Sequence, residues 1–266
     1  MSLTFTLSEI QKNQSKCAEY LSKIPNNISV KEAIFAANYL CPELAIFTKE
    51  NLGKFSGLRP RDKGSMGKIV EFFFFGQLPN SKPTPDLSWG GDIKATHFKT
   101  NKQGHYNAKE RLTITNCGDR NDYSTFQPII TSINLKSYKD YLKIRRGLLF
   151  VFEHRKGKYD DFEENMGKTL LSCIVYDLED MPRKISKQIN DDFEHIKGTI
   201  NSGKITQAGQ IYLHTAPHGS GHGSGTRAFA FTNKFVTKIV SFYTDKPITE
   251  KGRSWFIDKK YFNIDD

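Results

Sequence analysis

The stretch from Gly64 to Lys94 constrains most what this chain can fold into. It reads G-S-M-G-K-I-V-E-F-F-F-F-G, then a polar Pro/Ser loop, then P-D-L-S-W-G-G-D-I-K. Three carboxylates and one lysine stand out: Glu71, Asp86, Asp92 and Lys94. Successive side chains of a strand point to opposite faces, so Asp92 and Lys94 share one face while Ile93 and Ala95 turn to the core. With Asp86 arriving from the preceding turn, these residues predict a small acidic pocket with one cation at its rim. Hard oxygen ligands of this kind suit Mg²⁺, which takes one or two carboxylates, keeps several waters and meets a substrate phosphate.

The surrounding pattern alternates helices and strands. Residues 7–23 predict an amphipathic helix with a Ser8–Gln11 capping box, and Ser29 with Glu32 predicts another through Tyr39, ended by Pro42. Residues 1–50 thus read as a helical arm packed on the core. Arg59 to Lys63 is a basic turn, and Ser65 is the expected N-cap of a helix from Met66 to Phe75 that buries Ile69, Phe72 and Phe73 and carries Glu71. Asn80 to Thr84 is a loop by its Pro/Ser/Asn content. Strands are expected over 91–98, 111–116, 147–152 and 170–176, with a hairpin-like turn at 155–160. Pro182 to Gly203 predicts a long helix, and Thr232 caps another through Phe242. No repeat or long linker divides the chain, so 1–266 reads as one domain.

Composition narrows the partners. A net charge of +10 favours a polyanion, with nucleic acid first. The candidate contacts are Arg59, Arg61 and Lys63 in the basic turn, the Lys143–Arg146 cluster, and Lys234 on the last helix, whose surface also carries Lys238. His214, His218 and His222 recur every four residues, but Pro217 and the Gly-Ser run forbid the helix that would make them a metal site. A Gly-rich loop holding His218 and His222 beside Arg227 suits close approach to a phosphate backbone or a groove. Four scattered cysteines without a CxxC pair give neither a zinc site nor a disulfide framework and fit a reducing cytoplasm. There is no basic-then-apolar leader, and the run around Phe72–Phe75 is too short to span a bilayer.

An ordered series of motifs carries a resemblance. Gly64, Gly67 and Glu71 precede a short loop; Pro85-Asp86 follows, then Gly91, Asp92 and Lys94, then Lys109-Glu110-Arg111-Leu112. This series resembles the family of MutH and the Sau-type restriction endonucleases, within the PD-(D/E)XK nucleases. The likeness runs on through I-N-S-G-K near residue 200 and R-A-F-A-F at Arg227–Phe231. Two features depart from the family. Asp92 stands where its members carry Glu, and the gap from Asp86 is one residue shorter. The shorter loop and shorter side chain either compensate for each other or weaken metal binding.

The resemblance implies an α/β fold with a central mixed sheet flanked by helices. It implies Mg²⁺-dependent hydrolysis of duplex DNA, with GATC the leading sequence and 5′-phosphate ends. Asp86, Asp92 and the Ile93 carbonyl would hold the metal, and Glu71 a second metal or a metal-bound water. Lys94 would act on the attacking water and phosphate, and Lys109 would be a second lysine near the scissile phosphate. Sau-type chains carry a second related domain, so a restriction role here implies a homodimer on DNA or two sequential nicks, with a cognate methyltransferase encoded nearby. The rival readings are a MutH-like repair nickase and a DNA-binding domain with a decayed site.

Overall fold

The fold comes from a computed structural model that describes residues 4–55, 64–79, 84–154, 161–205, 208–218, 225–251 and 254–262. The N-terminal part holds α1 (Leu7–Lys12), α2 (Gln14–Ser22), the short β1 (Ile28–Ser29), α3 (Val30–Leu40) and α4 (Glu43–Asn51). Next come α5 (Ser65–Phe75), β2 (Asp92–Thr100), β3 (His105–Ala108), β4 (Leu112–Asp119), α6 (Gln127–Ile130) and α7 (Tyr141–Arg145). Then follow β5 (Arg146–Glu153), α8 (Phe162–Met166), β6 (Thr169–Asp177), α9 (Arg183–Asn201), β7 (Leu213–Pro217) and β8 (Thr226–Phe231). The described part closes with α10 (Asn233–Thr244), β9 (Ile248–Lys251) and β10 (Ser254–Asp258).

Among the described residues, seven strands form one sheet in the order β1-β6-β5-β2-β3-β10-β9, and β4-β8-β7 form a second. The β2–β5 pair is parallel and the other described pairs of the large sheet are antiparallel, so that sheet is mixed. Both of its faces are covered, which is why β5 reads as an unbroken apolar run rather than an alternating one. Leu148, Phe150 and Phe152 face a core built with α1–α5, where Ile93 also lies. Leu149 and Val151 face the other core, shared with α9, α10 and the small sheet, where Phe98 lies. Ile93 does turn inward, but Asp92 and Lys94 open onto a second packed layer instead of solvent.

The helix ends show where sequence reading met local chemistry. The expected helix over 7–23 breaks at Asn13, whose extended backbone ends α1 and whose side chain caps α2. The capping box at its start is Thr6 with Glu9, rather than Ser8 with Gln11. Ser29 with Glu32 caps α3 as expected, and Thr232 caps α10. Ser65 does not cap α5: it lies within the helix, buried, accepting a hydrogen bond from Asn165 Nδ2 at 2.8 Å. Gly76 ends α5 in the left-handed conformation at φ 58°, which glycine adopts without strain. The expected turn at 155–160 and most of the 80–84 loop lie outside the described residues.

A buried acid staples the second layer together. Asp192 on α9 accepts hydrogen bonds from the backbone N–H groups of Ile211, Tyr212 and Leu213, at 3.0, 2.6 and 2.9 Å. Removing it leaves those donors unsatisfied in the interior, each at a desolvation penalty. Asp192→Ala should therefore lower unfolding free energy by about 3 kcal/mol in chemical denaturation. An unchanged midpoint would show that the start of β7 holds without it.

Candidate active site

The first half of β2 is flanked on one side only among the described residues. Asp92 to Phe98 pair with Gly147 to Glu153 of β5, whereas β3 joins β2 from Phe98 onward. Along this open edge the Ile93 N–H donates to Asp86 Oδ2 at 2.8 Å. The N–H and C=O of one strand residue leave on the same side, so the Ile93 carbonyl faces that edge too. His97, four residues on, shows the same direction, since its carbonyl accepts the Lys109 N–H at 2.8 Å.

The turn that carries Asp86 is pinned at several points. Gln77 Nε2 donates to the Asp86 carbonyl at 3.0 Å. Within the turn, the Leu87 N–H donates to Gly91 O and the Gly90 N–H to Leu87 O. Arg146 Nη1 reaches the Trp89 carbonyl at 3.1 Å. The short gap between Asp86 and Asp92 thus closes as a compact turn with its carboxylate on the strand edge. Opposite Asp92 stands Gly147, where a Cβ would lie 2.7 Å from the Asp92 carbonyl oxygen and 3.0 Å from the Tyr176 hydroxyl. Glycine keeps the strands close enough for Asp92 to sit in the wall.

Asp92 is 2% exposed. Lys94 Nζ lies 2.6 Å from its Oδ2, and Lys143 Nζ lies 3.7 Å from its Oδ1. Oδ1 itself is buried without a hydrogen-bond partner among the described residues. Burial pushes the Glu71 carboxyl on α5 up to about 7, helped by the charge of Asp86 and opposed by Lys94. Asp86 is also raised, first by burial and then by Asp92, while the Ile93 N–H, Lys94 and Lys143 pull it down. Burial and neighbouring negative charge therefore both favour the neutral forms of Glu71 and Asp86.

Among the described residues, no three His, Cys, Asp or Glu side chains are gathered tightly enough to hold a metal by themselves. The donor set is of another kind: Asp86, Asp92 with an unsatisfied oxygen, and an edge-facing carbonyl. Such a set fits a hard divalent cation that keeps water and shares a phosphate.

The other predicted site residues fall into three groups. Lys109 is exposed at the end of β3, beside His97 and roughly 10 Å along β2 from Lys94. It stands at the rim, and Arg111 near it donates to the Pro217 carbonyl next to exposed His218. Arg227 is buried, with Nη1 donating to the carbonyls of Gly225 and Thr226, so it braces the start of β8 and is not presented to a partner. Lys234 packs its ammonium 4.1 Å from the Trp255 ring centroid. Arg59, Arg61, Lys63 and His222 lie outside the described residues.

The Lys143–Arg146 cluster is not a free basic patch. Arg145 pairs with Asp177 and Glu179, Arg146 with Asp177, and Lys143 with Asp92. Each acid lies far away in sequence, so the run of cations looked exposed when read alone. The sequence reading placed Lys143 among the nucleic-acid contacts, whereas the structure sets it beside Asp92 in the acid cluster.

The architecture is mixed α/β with a lysine-flanked acid cluster at a strand edge, an arrangement consistent with a nuclease. No protein-family profile matches the chain. The chain is similar to the type II restriction enzyme Sau3AI of Staphylococcus aureus, at 24% identity over 198 residues. The similarity covers 69% of this chain and 37% of that enzyme, so the chain spans little more than a third of its relative. This likeness supports a relationship to restriction endonucleases. No helix among the described residues is long and apolar enough to cross a membrane.

The raised carboxyls give a pH test. A Glu71 that titrates near 7 when folded and near 4.5 when unfolded binds a proton the unfolded chain has released. Stability contributed by Glu71 therefore falls as pH rises through that interval. With chelator present, wild type should lose more thermal stability between pH 5 and 8 than Glu71→Gln. Identical pH profiles would place Glu71 outside the cluster.

Proposed function

We propose that this chain is a Mg²⁺-dependent type II restriction endonuclease of the PD-(D/E)XK kind, cutting duplex DNA at a short sequence. The observation that carries the reading is the edge of β2. There Asp92 and Lys94 share a face, and the Asp86 carboxylate is fixed on the Ile93 N–H beside an edge-facing carbonyl. The likeness to Sau3AI supports the same class of reaction.

Asp86, Asp92 and the Ile93 carbonyl would hold the metal, with Glu71 beside them. Bound there, Mg²⁺ supplies Lewis acidity at the phosphoryl oxygen. Lys94, held by Asp92 at 2.6 Å, orients the attacking water and stabilises the charge that develops on the phosphate. Lys109, Arg111 and His218 form a basic rim leading away from the edge, suited to positioning the backbone rather than reading bases. GATC is the proposed target, with 5′-phosphate products. One site cuts one strand, so a double-strand break calls for two copies on the DNA. A cognate methyltransferase then protects the host sequence.

Asp86→Asn and Asp92→Asn should each lower plasmid cleavage in Mg²⁺ by about 100-fold or more. Binding of a GATC duplex in Ca²⁺ should persist, because neither change removes a phosphate contact. Near wild-type cutting by either variant would place the chemistry elsewhere.

The net charge of +10 generates a separate expectation. Duplex affinity should fall steeply between 50 and 200 mM salt, as phosphate contacts release counterions. A dissociation constant insensitive to salt would sink the nucleic-acid reading.

A further inference from the structure

Two lysines of α10 share one aromatic ring. Lys234 Nζ lies 4.1 Å and Lys238 Nζ 4.9 Å from the ring centroid of Trp255 on β10. The two stand four residues apart on the helix, a spacing at which like charges repel and weaken it. Lys184, exposed in the first turn of α9, adds a third cation. Burial holds the Lys238 ammonium below its ordinary pKa, Lys184 lowers it further and Lys234 adds to this, while Glu250 opposes them. Among the described residues none of the three lysines forms an ion pair with a carboxylate. The first turn of α9 carries no acid, so none there offsets Lys184 or the positive end of the helix dipole.

Trp255 is 7% exposed, and its Nε1 is buried without a hydrogen-bond partner among the described residues. A buried indole normally finds an acceptor for its N–H, and phenylalanine would fill a core position without that cost. What indole adds is the best aromatic face for a cation. The ammoniums that Trp255 holds therefore account for it better than packing does.

The patch continues the rim at Lys109. Asn233 Nδ2, next to Lys234, donates to the Lys109 carbonyl at 3.2 Å, and the Ala108 N–H donates to Thr237 Oγ1 at 3.1 Å. Ile257 of β10 pairs antiparallel with Tyr106 of β3, so Trp255, two residues earlier, comes level with Ala108 on the same face. Lys109, Lys234, Lys238 and Lys184 thus make one run of cations from the strand edge across α10 to α9.

We propose that Lys234, Lys238 and Lys184, gathered around Trp255, form a phosphate-contacting surface for duplex DNA beyond the cleaved sequence. The proposal rests on the nucleic-acid reading of the chain. Charge alone would suit any polyanion; a duplex is favoured because the run begins at the rim of the acid cluster. Ammoniums already held on a ring lose less freedom when they meet a phosphate. Lysines on phosphates position a duplex without reading its bases, so this surface adds affinity and no sequence preference.

The test is duplex binding in Ca²⁺, read by fluorescence anisotropy between 50 and 200 mM salt. One duplex has a single helical turn centred on GATC, closed as a hairpin, and the other has three turns with the same centre. Wild type should bind the long duplex at least tenfold tighter than the short one at low salt. Lys184→Gln with Lys238→Gln should remove most of that advantage and reduce the slope of log Kd against log salt by about 2 on the long duplex, for two lost phosphate contacts. The loss should be the same on a long duplex lacking GATC, and Lys184→Arg with Lys238→Arg should restore it. An unchanged long-duplex affinity and slope would overturn the proposal and leave the patch to an acidic protein or to packing. An equal loss on short and long duplexes would overturn it too, by placing these lysines at the cleaved sequence. Should the double variant fail to fold, Lys184→Gln alone decides, through a slope change of about 1. A wild type that binds neither duplex would overturn the nucleic-acid reading, whereas intact wild-type binding with unchanged variants would overturn this inference alone.

Discussion

One hydrogen bond sets the geometry of the acid cluster: the Ile93 N–H donating to Asp86 Oδ2. It exists because β3 does not join β2 before Phe98, which leaves the Ile93 N–H and C=O without a strand partner on that side. A buried backbone donor needs an acceptor. Here a carboxylate from the preceding turn supplies it, where another strand would otherwise do so. The same bond brings Asp86 within reach of Asp92, while the Ile93 carbonyl points at the same space. Fold and candidate chemistry therefore share one cause, an interrupted strand edge.

Much of this was legible in the sequence, and for identifiable reasons. Asp92 and Lys94 share a face because strand geometry allows nothing else. The unbroken run Gly147–Phe152 announced a strand covered on both faces, and Ser29 with Glu32 announced a helix start through a local hydrogen-bond pattern. Some misses were local, such as the break at Asn13 and the Thr6–Glu9 capping box, but the failures over charge depended on tertiary partners. Ser65 looked like a cap, yet it is met by Asn165, a hundred residues away. Arg145 and Arg146 looked like a DNA-binding patch, yet Asp177 and Glu179 meet them. Arg227 looked available in a Gly-rich neighbourhood, yet the small sheet buries it. Local signals encode backbone preferences, whereas the pairing of a charge is a tertiary fact.

The electrostatics of the cluster explain why its cations are of two kinds. Burial favours protonation of Glu71 and Asp86, which are both raised. Lysines nearby oppose that shift and keep oxygens charged. The two lysine contacts to Asp92 are unlike in length. The two lysines therefore differ in reach, with Lys94 bonding Oδ2 and Lys143 standing off from Oδ1.

That division bears on the two departures from the family's motif. Aspartate in place of glutamate shortens the reach of the third acid, while the shorter gap draws the Asp86 turn tight against the strand. Gly147 lets β5 approach Asp92 closely, and the same strand, through the helix that leads into it, brings Lys143 behind the carboxylate. Lys94 meets Oδ2 and Lys143 lies near Oδ1, so the two oxygens of Asp92 face different cations. The short gap closes as one compact turn whose carboxylate is fixed on the Ile93 N–H, beside an aspartate that Lys94 and Lys143 both approach.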